Sequence, residues 1–308
     1  MMKFKKLSQI LLLSIGLTGL VACQSTAVRS HSSQVYSDVF YATSQNPRQA
    51  LDIYLPPNTQ GKVPAVIVVH GGAYVTGSKK DTAKSPLTKL LLDNQMAVVA
   101  INYRLLPDNG YPSQTDDVNQ AFNFIRTNGE RYGIDTQRLA VIGESAGGQL
   151  AQYVSNVQGK DKVRATVTYF APSDVVRPTD YEDQSCKNSA NVIGLMSLFL
   201  PKLPKDFVVH ESLVGEKYNT PAYIAKAQAI SPLHLVSANT PPILMFHGNK
   251  DCLVPMAFSQ AYQSALQKQG VEAELIIANG LGHGDAKFFS NPSYNQKVIA
   301  FLKQKLGL

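Results

Sequence analysis

Leu139-Ala140-Val141-Ile142-Gly143-Glu144-Ser145-Ala146-Gly147-Gly148 carries the architecture of the chain. Its first half is a short apolar run, the pattern of a strand buried on both faces. Its second half opens a segment, Ala146 to Ser155, whose apolar residues recur at three and four positions, the pattern of a helix. A serine at a sharp strand-to-helix turn holds its hydroxyl out at the end of a sheet. Such a turn forces strained backbone at the serine, and side chains two residues to either side would strike neighbouring elements, which is why Gly143 and Gly147 flank it. The helix that begins after Ser145 also points its positive end at negative charge developing there. A glycine-rich turn that only caps a helix is the alternative, and the remainder of the chain speaks against it.

Outward from this motif, strand patterns alternate with helical ones. Val35 to Ala42 and Leu51 to Leu55 read as early strands. Ala65 to Val69, Met96 to Asn102, Leu139 to Gly143, Ala165 to Phe170, Ile243 to Phe246 and Ala273 to Ala278 complete a sheet. Helical spacing marks Ser85 to Leu92, Asp116 to Thr127, Ala146 to Ser155, Met256 to Gln269 and Ser293 to Lys305. Strands that alternate with helices predict an α/β fold with a mostly parallel central sheet covered on both faces. The interval from about 173 to 230 is too long for a simple loop and contains one apolar patch, Val192 to Leu200. It reads as a cap inserted over the functional end of the sheet, or as a peripheral insertion without substrate contact. The expected organisation is one domain, residues 35–308, with this insertion.

A serine hydroxyl is a weak nucleophile until a base takes its proton and an acid orients that base. Asp251 lies just after the strand ending at Phe246, and His283, in Gly280-Leu281-Gly282-His283-Gly284, lies in a loop after the next strand. The chain order Ser, Asp, His suits this architecture, and of six histidines only His283 follows Asp251. Asp174 comes too early to be the acid, and Glu272 begins a strand. His70-Gly71-Gly72-Ala73-Tyr74 follows the strand Ala65 to Val69 and offers unhindered amides to a cavity. The backbone N–H groups of Gly71, Gly72 and Ala146 are expected to form an oxyanion hole. His70 is expected to shape that loop by hydrogen bonding, and His247 to shape the Asp251 loop.

Together these segments, with Leu51-Asp52-Ile53-Tyr54-Leu55-Pro56 and Ile101-Asn102-Tyr103-Arg104-Leu105, resemble the esterases and lipases of the α/β-hydrolase superfamily. The resemblance is to the hormone-sensitive-lipase-like enzymes and especially to bacterial esterases related to feruloyl esterases and kynurenine formamidases. It runs from about Leu51 to the C-terminus. It implies an α/β-hydrolase fold, a serine carboxylester hydrolase acting on a small-molecule ester, and a role for Tyr103, Arg104 and Asp117 in bracing the oxyanion loop; surface polar contacts are the other reading of those three. Ala73 stands where hormone-sensitive-lipase-like enzymes often carry a third glycine, which tilts the resemblance toward the feruloyl-esterase and formamidase side. An amide hydrolase with the same triad and a non-enzymatic surface protein are the alternatives.

The N-terminus reads as an export signal: Lys3, Lys5 and Lys6 precede the apolar run Ile10 to Leu17. That run is too short to favour a membrane span. Leu20-Val21-Ala22-Cys23 resembles a bacterial lipobox, which implies a signal peptide over 1–22, lipidation of Cys23 and a membrane anchor. Residues 24–34 form a polar tether, and Gln24 resembles the outer-membrane sorting pattern of Gram-negative bacteria. Removing the signal lowers the formal charge from +7 to +4, 26 basic residues against 22 acidic, and no basic–aromatic cluster suggests nucleic acid. Lys79-Lys80 and Lys202/Lys205 read as solvated surface. Cys186 and Cys252 are free to pair in an oxidising compartment or to remain separate buried thiols. No metal or cofactor is implied by any ligand spacing or phosphate loop. The oligomeric state is not legible.

Overall fold

The computed structural model describes residues 34–177 and 207–308. Strands β1 (Val35–Phe40), β2 (Ala50–Tyr54), β3 (Val63–Val69), β4 (Ala97–Ile101), β5 (Ile134–Glu144), β6 (Ala165–Tyr169), β7 (Ile243–Gly248) and β8 (Ala273–Ala278) form one sheet in the order β1-β2-β4-β3-β5-β6-β7-β8. The β1–β2 and β2–β4 pairs are antiparallel, and every other pair is parallel. This is the α/β-hydrolase arrangement that the sequence predicts.

β3 is Val-Pro-Ala-Val-Ile-Val-Val, buried along its whole length because both faces of the sheet are covered. Ala65, Ile67 and Val69 point into one core, with α3 (Ser113–Asn128) and α4 (Ala146–Gln158). Val66 and Val68 point into the other, shared with α2 (Pro86–Asp93) and the C-terminal helix Pro292–Leu306. Burying each such side chain contributes roughly 1.5–3 kcal/mol, so the central strands hold the platform rigid.

Register places the chemistry on one rim. Val69 pairs with Gly143, Glu144 with Tyr169, Tyr169 with Phe246, and Gly248 with Ala278. The loops that follow β3, β5, β6, β7 and β8 therefore leave the sheet at one level, where ligand sites of open parallel sheets form.

The structure departs from the sequence reading in three places. β5 begins at Ile134, five residues early, because Ile134 pairs with Val63 despite the polar run that follows it. A helix at Lys79–Lys84, α1, was not foreseen. Within it Lys79 is not solvated surface: its side chain is 3% exposed and forms ion pairs with Asp52 and, at 2.7 Å, with Asp38. Lys80 is exposed. Of the insertion, the described part contains helices α5 (Val209–Val214) and α6 (Pro221–Ile230). The Val192 to Leu200 patch, Lys202, Lys205, Cys186, the signal peptide and Cys23 lie outside the described residues.

Candidate active site

Ser145 sits at the junction of β5 and α4 with φ +52° and ψ −124°, a conformation that a non-glycine residue holds at a cost of order 1–3 kcal/mol. Its neighbours cannot carry side chains. A Cβ on Gly143 would come 2.1 Å from Gly147 O, and one on Gly147 would come 2.2 Å from Val69 O and 2.4 Å from His70 O. The glycines thus let the elbow press against the end of β3, which brings the loop after β3 beside the serine.

Ser145 Oγ lies 2.9 Å from His283 Nε2, and His283 Nδ1 lies 2.8 Å from Asp251 Oδ2. With Nδ1 donating to the carboxylate, Nε2 presents its lone pair to the hydroxyl. The His283 and Phe170 rings meet edge to face, 4.7 Å between centroids. Asp251 Oδ1 accepts the amides of Leu253 and Val254 at 2.9 and 2.8 Å. Burial would raise the Asp251 carboxyl, but hydrogen bonds from His247 and His283 outweigh it and hold the group well below the usual carboxylate range. His247, fully buried, spans Ser259 Oγ at 2.7 Å and Val254 O at 2.9 Å, so it shapes the acid loop. Cys252, beside the acid, is disulfide-bonded.

The loop after β3 carries positive φ at Gly72 (+112°), Ala73 (+51°) and Tyr74 (+63°). Val75 and Thr76 donate to Gly72 O, and Leu106 N donates to Tyr74 O at 2.8 Å. A Cβ on Gly71 would come 3.1 Å from Glu144 O and 3.4 Å from Ser145 Cβ, so a side chain there would crowd the elbow and push Glu144 back by a few tenths of an ångström. The Glu144 side chain lies beside Gly71. Burial pushes that carboxyl up, while the Gly71 hydrogen bond and His283 pull it back. Among the described residues the amides of Gly72 and Ala73 meet no protein acceptor.

Tyr103 donates its hydroxyl to His70 O at 3.0 Å and stacks on the His70 ring at 4.3 Å. Asp117, fully buried, accepts a fork from Arg104 and the Arg104 amide at 2.8 Å. It also accepts from Gln49 at 2.7 Å. These three residues form internal braces rather than surface contacts. Asp174 and Glu272 stand apart from the triad: Asp174 faces His234 and Arg177, each at 3.5 Å, and Glu272 pairs with Lys305.

A cleft of about 400 Å³ opens over Ser145 and His283, lined by the His70–Ala73 loop, Glu144, Phe170, Leu253 and Gly284. Phe170 and Leu253 were not foreseen as cleft walls, although Phe170 closes the expected strand Ala165 to Phe170 and Leu253 lies two residues past Asp251. Arg48, also unforeseen, reaches this loop through Gly77 O and His70 Nε2.

The BD-FAE family model matches residues 51–266. An ethyl acetate hydrolase of Pseudomonas putida is 30% identical over 251 residues, 80% of this chain and 74% of that protein. A probable isoprenylcysteine alpha-carbonyl methylesterase of Oryza sativa is also 30% identical, over 85% of this chain; the chain spans about three fifths (59%) of that relative's length. Among solved structures, a truncated carbohydrate esterase from gut microbiota shares the fold, with a TM-score of 0.75 at 24% identity over 91% of this chain and 99% of that one. The family model covers well over half of the chain, and the chain belongs to the BD-FAE family of α/β-hydrolase esterases.

Proposed function

We propose that this protein is a serine carboxylester hydrolase acting through an acyl-enzyme on small acyl or aryl esters outside the cytoplasm. The hydrogen-bond chain from Ser145 Oγ through His283 to Asp251, opening into the cleft, carries the reading. Ser145 Oγ attacks the ester carbonyl carbon as His283 Nε2 takes its proton, and the carbonyl electrons move onto oxygen. Collapse of that oxyanion breaks the bond to the alcohol, which leaves with the proton from His283. Water then repeats both steps on the acyl-enzyme and releases the acid.

Asp251 stays ionised and stabilises the imidazolium. The oxyanion donors are the amides of Gly71, Gly72 and Ala146, which the close approach of Gly71 to Ser145 sets beside the nucleophile.

The size of the cleft and its Phe170 and Leu253 walls suit a short acyl or aryl group, in keeping with relatives named for ethyl acetate and for carbohydrate esters. The lipobox-like Leu20 to Cys23 supports export and anchoring through Cys23, at the outer membrane if the source is Gram-negative. Incorporation of a labelled palmitate analogue, lost in Cys23→Ser, tests that part.

Hydrolysis of p-nitrophenyl esters from acetate to palmitate, beside the matching anilides and Ser145→Ala, tests the activity. Turnover of short esters that vanishes in the variant is the expected result. Preferential anilide turnover would make the protein an amidase. Absence of turnover on every substrate by folded protein would overturn the reading.

A further inference from the structure

Arg48 lies in a 3-10 turn, Pro47–Gln49, between β1 and β2, away from the cleft and half-buried. Among the described residues no carboxylate lies within ion-pair distance of it. Its guanidinium instead donates Nε to Tyr103 O at 3.0 Å and Nη1 to Gly77 O at 3.0 Å, and Nη2 lies 3.4 Å from His70 Nε2. Withdrawing a cation from water to serve two carbonyls and an imidazole is costly for a residue with no other task.

The imidazole explains the arrangement. A guanidinium only donates, so His70 Nε2 must accept, and the ring proton sits on Nδ1. Nδ1 is 2.7 Å from Gly71 O and therefore donates to it. Gly71 C=O and Gly72 N–H belong to one planar trans peptide unit, and in such a unit the two bonds point in opposite directions. Drawing the Gly71 carbonyl back toward His70 accordingly aims the Gly72 N–H the other way, where the cleft and Ser145 lie. The geometry is enforced at Gly77 as well. With φ +93°, a Cβ there would sit 2.5 Å from both Gly71 O and His70 Nδ1, inside the bond that sets the peptide.

We propose that Arg48 is the positioning residue of the oxyanion loop: its fork fixes the tautomer of His70, and His70 through Gly71 O aims the Gly72 amide at the carbonyl oxygen of the substrate. The proposal rests on the esterase reading for its kinetic consequence but not for its structural one. Arg48 touches no reacting atom. Its loss misdirects a donor that matters more in the transition state than in the bound substrate, so the deficit falls on kcat and not on KM.

The test compares full-length wild type, Arg48→Met and Arg48→Lys on p-nitrophenyl acetate, with melting temperatures and with ¹⁵N-histidine NMR of His70. The expected result for Arg48→Met is a fall in kcat on the order of 10- to 100-fold, approaching the loss of one oxyanion donor, with KM within about threefold. Arg48→Lys is expected to recover little of it, because one ammonium cannot reach Tyr103 O, Gly77 O and His70 together. His70 is expected as the Nδ1–H tautomer in the wild type and as a mixture in both variants.

A folded Arg48→Met with kcat within twofold of wild type, a loss confined to KM, or full activity in Arg48→Lys would each overturn the proposal. Should Arg48→Met fail to fold, Arg48→Lys decides by the same criteria. His70 as the Nε2–H tautomer in the wild type would overturn the relay whatever the kinetics. Wild type inactive on every ester would sink the esterase reading instead, and the tautomer would still test the relay.

Discussion

Lowering the pH from 7 to 4 should destabilise this fold through one buried imidazole. Burial lowers the pKa of His70 from 6.5 to about 4; the Gly71 carbonyl opposes this, and the Arg48 guanidinium adds to it. An unfolded chain gains a proton at this histidine near pH 6.5, whereas the folded chain refuses it until about pH 4. Between those values the unfolded state holds more protons, so stability falls as pH falls. The His70 contribution is fully present above about pH 6.5 and is lost by about pH 4. A difference of about 2.5 pKa units corresponds to about 3 kcal/mol, with a slope of at most about 1.4 kcal/mol per pH unit for one proton. The assay is urea unfolding at half-unit steps from pH 7 to pH 4, on the wild type and on His70→Asn. The Asn amide can mimic the Nδ1–H donor to Gly71 O but cannot titrate in this range. Groups such as Asp251 act equally on both proteins and cancel in the comparison. The wild type should lose about 3 kcal/mol more than the variant across the range. Parallel curves would refute the claim that His70 is held neutral by its surroundings.

Ser145→Gly should abolish ester turnover yet stabilise the fold by about 1 kcal/mol, because glycine relieves the strain at φ +52° and gives back part of the gain as chain entropy; calorimetric melting checks the sign. Gly147→Ala drives a methyl to 2.2 Å from Val69 O, so it should cost about 3 kcal/mol in urea unfolding and separate the β3 loop from the elbow. Asp251→Asn leaves His283 without its anionic partner and allows the wrong tautomer. Its kcat should fall about 10³- to 10⁴-fold on p-nitrophenyl acetate, and its melting temperature should fall too, because the hydrogen bonds that hold the buried carboxylate ionised also stabilise the fold.

The sheet was legible because its strands are buried on both faces. Val66 to Val69, Ala97 to Ile101 and Leu139 to Ile142 are unbroken apolar runs, and a run of that kind has few other places to go. What failed was local sequence read without its partner. Lys79 looked like a solvated lysine, since nothing near it in sequence announces that Asp52, a strand residue, would turn inward to meet it. Ile134 looked like loop because Asp135, Gln137 and Arg138 surround it, yet pairing with Val63 extends β5 through that polar stretch. Both misses concern residues whose environment is set by a strand far away in the chain.

The candidate site divides along the same line. Ser145, Asp251 and His283 were readable because each occupies a strand end in a required order, and order along the chain survives without coordinates. The oxyanion loop was readable as a loop, but what holds it was not, because that depends on where each peptide unit is turned. The turning is done by groups that sequence scatters: His70 within the loop, Gly77 at its end, and Arg48 more than twenty residues before it. Arg48 makes its contacts to backbone carbonyls and an imidazole, so no complementary charge elsewhere in the chain marks it out. A strand-end motif can name the atoms that react, whereas the groups that aim a backbone dipole become visible only once the loops of β3 and β4 are folded against the turn before β2.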